Sequence, residues 1–92
     1  MAILVRIPTA LRKLASGAET IEVEASTVGG VLDGLREAHP DLVGQIVGTD
    51  GKVRRFVNLF ANDEDIRFLD GLETTLESGD DVSIVPAIAG GR

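Results

Sequence analysis

The residues with the clearest chemical potential in this sequence are the last ones, VPAIAGGR at 85–92. Because Gly90 and Gly91 carry no side chain, a carboxylate at Gly91 can enter a narrow, water-poor pocket. Acyl adenylation would then activate that carboxylate toward a sulfur or nitrogen nucleophile. A glycine-containing end is also typical of a terminus with no role at all. The functional interpretation predicts that one segment threads into a partner's active site: Ala87, Ile88, Ala89, Gly90 and Gly91.

The rest of the sequence offers few residues that could do chemistry by themselves. It contains no cysteine and a single histidine, His39. This composition excludes disulfides, thiolate nucleophiles, cysteine-bound zinc, iron–sulfur clusters and a multi-histidine metal site within one chain. We therefore predict a protein that is not an enzyme and has no catalytic residue, cofactor or metal of its own.

Charge and hydropathy narrow the class of partner. Nine basic and fifteen acidic residues give a net charge of −6, which repels nucleic acid and attracts a basic protein surface. No apolar run reaches the roughly eighteen residues of a membrane span, and no basic region precedes the first apolar stretch as it would in a signal peptide. We expect one cytoplasmic domain that binds neither nucleic acid nor membrane.

Hydrophobic periodicity predicts the elements of the first half of the chain. Residues 2–7 form an apolar, β-branched run, and residues 20–25 alternate apolar and acidic side chains, so the two are predicted to form a hairpin. A helix is predicted over 27–38, and Gly29 and Gly30 within it favour close packing against a sheet. The apolar stripe of this helix follows helical spacing: Val28, Val31, Leu32 and Leu35.

The second half of the sequence is predicted to form strands joined by turns. A short helical turn is expected within 41–48, and TDGK at 49–52 is a strong turn signal. Strands are predicted over 53–61, around 66–68 and over 82–86.

The order strand, strand, helix and two or three further strands predicts an α+β protein of the β-grasp, or ubiquitin-like, class. In this fold a mixed sheet of four to five strands carries one main helix on one face. We expect the domain to comprise residues 1–86 and a flexible Gly-Gly tail to comprise residues 87–92. Periodicity alone leaves a ferredoxin-like fold as the rival, although a second equally strong helix is missing.

The chain also resembles a known family over essentially its whole length. The most telling stretches are RFVNLFANDEDIRF at 55–68 and GLETTLESGDDVSIVPAIAGG at 71–91, together with the early IPTALRKLASG. They resemble the ubiquitin-like sulfur carriers of the MoaD/ThiS group. Within this group, the CysO-like carriers of thiocarboxylate-dependent cysteine biosynthesis are the most similar.

The resemblance implies a mechanism and a set of partners. An E1-like enzyme would adenylate the Gly91 carboxylate with ATP, and a sulfur donor would convert it to a thiocarboxylate. In the cysteine branch a pyridoxal-phosphate-dependent synthase would accept the sulfur, and a JAMM-type zinc metallopeptidase would release the cysteinyl product from Gly91. ATP, zinc and pyridoxal phosphate would belong to those partner enzymes.

Arg92 departs from the family pattern, in which the active chain ends at the second glycine. We interpret Arg92 as a precursor residue that a peptidase removes, with addition during cloning as the alternative.

Three other functions stay open. The chain could be a modifier joined to lysines through Gly91, the small subunit of molybdopterin synthase, or a passive subunit whose tail inserts without activation.

Two further features are candidate contacts for a partner. The sheet face not covered by the helix is predicted to dock it, because the apolar residues outnumber those one helix stripe can cover; the candidates are Val57, Leu59, Phe60 and Ile84. The acidic NDED at 62–65 is interpreted mainly as a solvated turn, and alternatively as a contact for a basic enzyme. In that case the basic counterparts on other surfaces of this chain would be Arg54, Arg55 and Arg67.

Overall fold

A computed structural model describes residues 2–55 and 57–86 of the 92-residue chain. The described part contains five strands and two α-helices. Their bounds are β1 Ala2–Arg6, β2 Thr20–Glu24, α1 Val28–Ala38, α2 Pro40–Ile46, β3 Val57–Ala61, β4 Glu64–Asp65 and β5 Asp81–Pro86. Three 3-10 helices lie between them, at Thr9–Ala15, Ile66–Phe68 and Gly71–Glu73.

The five strands form one mixed sheet in the order β2-β1-β5-β3-β4. The central strand β5 is parallel to its neighbour β1, with Val5 opposite Val82, and all other neighbouring pairs are antiparallel. The register of β5 on β3 sets Pro86 opposite Val57 and Ser83 opposite Phe60. This arrangement confirms the predicted α+β class and the β-grasp architecture.

Helix α1 lies across one face of the sheet, as its apolar stripe predicts. The Thr27 side chain caps its first turn by accepting the backbone N–H of Gly30 at 3.0 Å, which satisfies a donor that has no partner within the helix. The four apolar positions of the stripe are all buried. The helix ends at His39, whose backbone N–H donates to the Leu35 carbonyl.

The glycines of α1 allow close packing, but not at the place the sequence suggested. A Cβ at Gly29 would lie 3.1 Å from the carbonyl oxygen of Leu72, which belongs to the 3-10 helix Gly71–Glu73 and not to the sheet. The closest approach to the sheet is at Gly34, where a Cβ would meet Val23 Cγ1 of β2 at 2.6 Å. Gly34 therefore sets the distance between α1 and β2.

Several elements besides α1 cover the hydrophobic core, so more apolar side chains of the sheet are buried than the stripe of α1 alone could cover. Helix α2 contributes three buried side chains, and the 3-10 helices and adjoining loops contribute more: Leu42, Val43 and Ile46, then Leu11, Ala15, Ile66 and Leu76. The strand predicted around 66–68 is wrong, since β4 ends at Asp65 and a 3-10 helix follows. Among the described residues no helix is long and apolar enough to cross a membrane.

Candidate functional site

The predicted reactive end follows directly from β5. Strand β5 ends at Pro86, which lies opposite Val57 of β3. The threading segment from Ala87 to Gly91, the reactive Gly91 and the removable Arg92 all lie outside the described residues. Their roles, and the division of the chain at residue 86, stay predictions. What the structure describes is the surface from which this end departs.

The predicted docking surface is wrong for three of its four residues. Val57, Leu59 and Ile84 are 4%, 1% and 3% exposed and belong to the hydrophobic core. Because side chains alternate along a strand, these residues point toward the helices and not toward solvent. The apolar residues that α1 alone cannot cover are covered by α2 and the 3-10 helices, so they do not form a second, exposed apolar face.

Phe60 is the one candidate that lies on the outer face of the sheet. It is half-buried and sits opposite Ser83, one position from the buried Leu59. Val85 shares this face and is 43% exposed. The outer face therefore carries scattered apolar side chains among polar ones, and Phe60 remains a candidate contact for a partner.

The two faces of β3 predict very different responses to truncation. Leu59→Ala should lower the free energy of unfolding by about 3 kcal/mol, because it leaves a cavity in the core, which corresponds to a fall of about 15 °C in the melting temperature. The control Phe60→Ala, one residue away, should cost about 1 kcal/mol or less. Thermal unfolding of both variants checks this, and equal losses would contradict the assignment of the two faces.

The first two residues of NDED, Asn62 and Asp63, form the tight turn between β3 and β4, and the last two form β4 itself. Asn62 and Asp63 have φ angles of +51° and +71°, a region that Asn and Asp tolerate better than most residues. The Asn62 side chain accepts the backbone N–H of Asp81 at 3.0 Å. Within the described part of the chain no group of three or more potential metal ligands comes together. The turn interpretation therefore accounts for the start of this segment.

A cavity of about 390 Å³ opens beside β3, and its lining includes Val57, the residue that lies opposite Pro86. Its walls include the core side chains Val57, Leu59 and Ile66, all buried. The half-buried Val53 and Leu72 add to this apolar lining. The cavity is therefore a place where the hydrophobic core opens toward solvent.

The rim of this cavity is basic: Lys52, Arg54, Arg55 and Arg67 line it, and among the described residues of the lining Asp65 is the one acidic residue. We call this feature the basic cavity. Sequence reasoning named Arg54, Arg55 and Arg67 as belonging to other surfaces, whereas the structure brings them to one opening. The signal that could have revealed it is KVRR at 52–55, a basic run in an acidic chain.

Two of the four cations on the rim are held in place by the fold. Arg54 donates from Nε and Nη2 to the Gly44 carbonyl at 3.1 and 2.9 Å. Arg67 pairs with Asp65 at 3.2 Å and also donates to Asn58. The pKa of the Asp65 carboxyl lies below its usual value because the backbone N–H of Arg67 donates to it, and the Arg67 guanidinium adds to the effect. Asp65 therefore stays ionised and keeps Arg67 at the rim.

The chain is similar to a known protein family and to named proteins over nearly its whole length. The model of the ThiS family matches residues 5–91. The sulfur carrier protein CysO of Mycobacterium tuberculosis is 39% identical, over 99% of this chain and 100% of its own. These similarities extend over the whole described fold and through Gly91.

Two further relatives add structural and functional context. The structure of an Amycolatopsis orientalis BexX/CysO complex contains a chain that superposes with a TM-score of 0.90 at 39% identity, covering 98% of this chain and 100% of that one. Small archaeal modifier protein 3 of Haloferax volcanii is 41% identical over 72% of this chain and 71% of its own. The name of this second relative describes a protein modifier.

Proposed function

This chain belongs to the ThiS family and is a ubiquitin-like sulfur carrier, and we propose that it carries sulfur as a thiocarboxylate at Gly91. The observation that carries the proposal is the full-length similarity to CysO, combined with a family match that runs through Gly91 and leaves out Arg92. A carrier is the substrate of its partner enzymes and needs no catalytic residue of its own.

The proposed chemistry begins after Arg92 is removed. The Gly91 carboxylate attacks the α-phosphorus of ATP, a carboxylate oxygen–phosphorus bond forms, and pyrophosphate leaves. A hydrosulfide equivalent then attacks the carbonyl carbon, the bond to AMP breaks, and the thiocarboxylate remains as one proton is released. The absence of side chains at Gly90 and Gly91 supports both steps, because each requires the carbonyl to enter a closed site.

In this proposal the partner enzymes supply the catalytic groups, ATP and cofactors that the reactions need. An E1-like enzyme binds ATP, a pyridoxal-phosphate-dependent synthase accepts the sulfur, and a JAMM-type metallopeptidase uses zinc to release the cysteinyl product. The similarity to CysO supports cysteine as the product, and another sulfur-containing metabolite would use the same thiocarboxylate. We expect these reactions to take place in the cytoplasm.

A second candidate function is conjugation of Gly91 to lysines of other proteins. The similarity to small archaeal modifier protein 3 favours it, and the acyl adenylate is common to both functions, since a lysine amine can replace the sulfur nucleophile. The small-subunit role in molybdopterin synthase also uses a thiocarboxylate at this position. A passive subunit would leave the tail unmodified.

Mass spectrometry of the protein isolated from its native cells distinguishes these functions. A sulfur carrier should yield a chain that ends at Gly91 and is about 16 Da heavier than the carboxylate form, because sulfur replaces oxygen. Isopeptide-linked adducts of higher mass would favour the modifier. An unmodified Gly91 in all preparations would contradict the proposal and favour the passive subunit.

A further inference from the structure

The basic cavity is at odds with the charge of the molecule. The chain has a net charge of −6, yet four of its nine basic residues line this single opening. Asp65, the one carboxylate that the described residues contribute to its lining, is already paired with Arg67. The nearby Asp50 accepts the backbone N–H of Lys52 at 3.0 Å, at the turn that precedes the rim. The opening is therefore positively charged at its edge and apolar at its floor.

The fold also prepares this opening for a ligand. Arg54 and Arg67 are held by hydrogen bonds, so little of their conformational freedom is lost on binding. The side chains of Lys52 and Arg55 are exposed and have no hydrogen-bond or ion-pair partner among the described residues. The cavity volume of about 390 Å³ is within the usual range of a ligand-binding site. Its apolar lining with a few charged groups at the rim is also typical of such a site.

The position of the basic cavity indicates what would occupy it. Val57 lines the cavity and lies opposite Pro86, the last residue of β5. The five residues from Ala87 to Gly91 span at most about 18 Å when extended. An enzyme that holds Gly91 in its active site therefore comes within reach of this opening. Phe68, the residue after Arg67, is 83% exposed and offers a further apolar side chain to such an enzyme.

We propose that the basic cavity is the docking site for an acidic segment of the activating enzyme. An apolar side chain of that segment enters the cavity, and carboxylates on either side of it pair with Lys52 and Arg55. This inference rests on the proposed function for the identity of the enzyme, but not for the chemistry of the segment. Charge complementarity and the nearness of the tail carry it.

The chemistry of the segment is tested first without any enzyme. The full chain with labelled methyl groups is titrated with a hexapeptide that has Leu-Phe at its centre and two acidic residues on each side. Methyl resonances of Val53, Ile66 and Leu72 should shift, with a dissociation constant below about 1 mM. A peptide with lysines in place of the acidic residues should shift none of them. Equal shifts with both peptides, or none up to about 5 mM, would overturn the proposal.

Charge reversals test the same surface in the enzyme reaction. Lys52→Glu and Arg55→Glu, made in the chain that ends at Gly91, should each raise the KM for pyrophosphate exchange about tenfold with kcat nearly unchanged. The control Lys13→Glu changes the net charge equally but lies in the first 3-10 helix, away from the cavity, and should stay within twofold of the parent.

The two proposals fail in distinguishable ways. Absence of exchange by the unmutated chain that ends at Gly91 would contradict the proposed function and leave the peptide titration as the test of the cavity. Normal exchange with the same KM for Lys52→Glu, Arg55→Glu and Lys13→Glu would overturn the docking proposal while the sulfur-carrier chemistry stands.

Discussion

Full-length protein incubated with ATP and its E1-like enzyme should support no measurable pyrophosphate exchange, whereas the chain that ends at Gly91 should exchange readily. The first reason is covalent, because the Gly91 carbonyl of the full-length chain is tied up in its amide to Arg92. The second is steric and electrostatic, since the carboxylate of Arg92 would bring a long cationic side chain into a channel sized for glycine. Such exclusion costs several kcal/mol, a rate loss of about a hundredfold or more.

Two controls separate these reasons. Arg92→Ala keeps the amide at Gly91 but removes the cation, and it should also be inactive if the free carboxylate of Gly91 is essential. Treatment of full-length protein with a carboxypeptidase that removes C-terminal arginine should restore exchange. If full-length and shortened chains exchange equally, Arg92 is tolerated at the active end and removal of this residue is not part of the mechanism.

Deletion of Gly91 together with Arg92 should abolish adenylation and leave the fold intact. Strand β5 is described as far as Pro86, and we expect the residues after it to add little buried area, so their partial loss should change the melting temperature by no more than about 2 °C. The carboxylate at Gly90 would then stop one residue short of the α-phosphate, a gap of about 3.5 Å that a fixed active site does not close.

The matched control for this deletion is the chain shortened by Arg92 alone. It differs by one glycine and should be fully active, so any difference in exchange reports the position of the carboxylate. A large fall in the melting temperature of the doubly shortened chain would mean that the tail packs into the core. Full activity would mean that the enzyme accepts a shorter tail and that Gly91 is not the reactive residue.

The regular elements were predictable because their signals are local. The alternation in residues 20–25 and the helical spacing from Val28 to Leu35 depend only on neighbours along the chain, and both elements are found nearly as predicted. The boundary errors are local too. The strand predicted from residue 53 begins at Val57, and the 66–68 segment forms a 3-10 helix, because turns and short strands have similar sequence signals.

The docking surface was wrong because exposure is not a local property. Helix α1 alone could not bury all the apolar side chains of the sheet. Some of them, such as Val57, Leu59 and Ile84, would stay exposed if α1 were the only element packed on that face. Helix α2 and the 3-10 helices also pack on that face, although their short apolar runs gave weak signals. Which apolar residues stay exposed depends on every element that packs against the sheet.

The sequence by itself predicted the β-grasp class, because periodicity along the chain gives the order of the elements, and the stretches at 55–68 and 71–91 carry the resemblance to the family. It also predicted the chemistry at Gly91, which lies outside the described residues. Only the tertiary structure decided that Leu59 faces the core while Phe60 faces outward. It also decided that Arg67 joins Lys52, Arg54 and Arg55 at one opening. The physical reason is that the β3–β4 hairpin folds residue 67 back toward residues 52–55, and such a contact between distant residues leaves no periodic signal in the sequence.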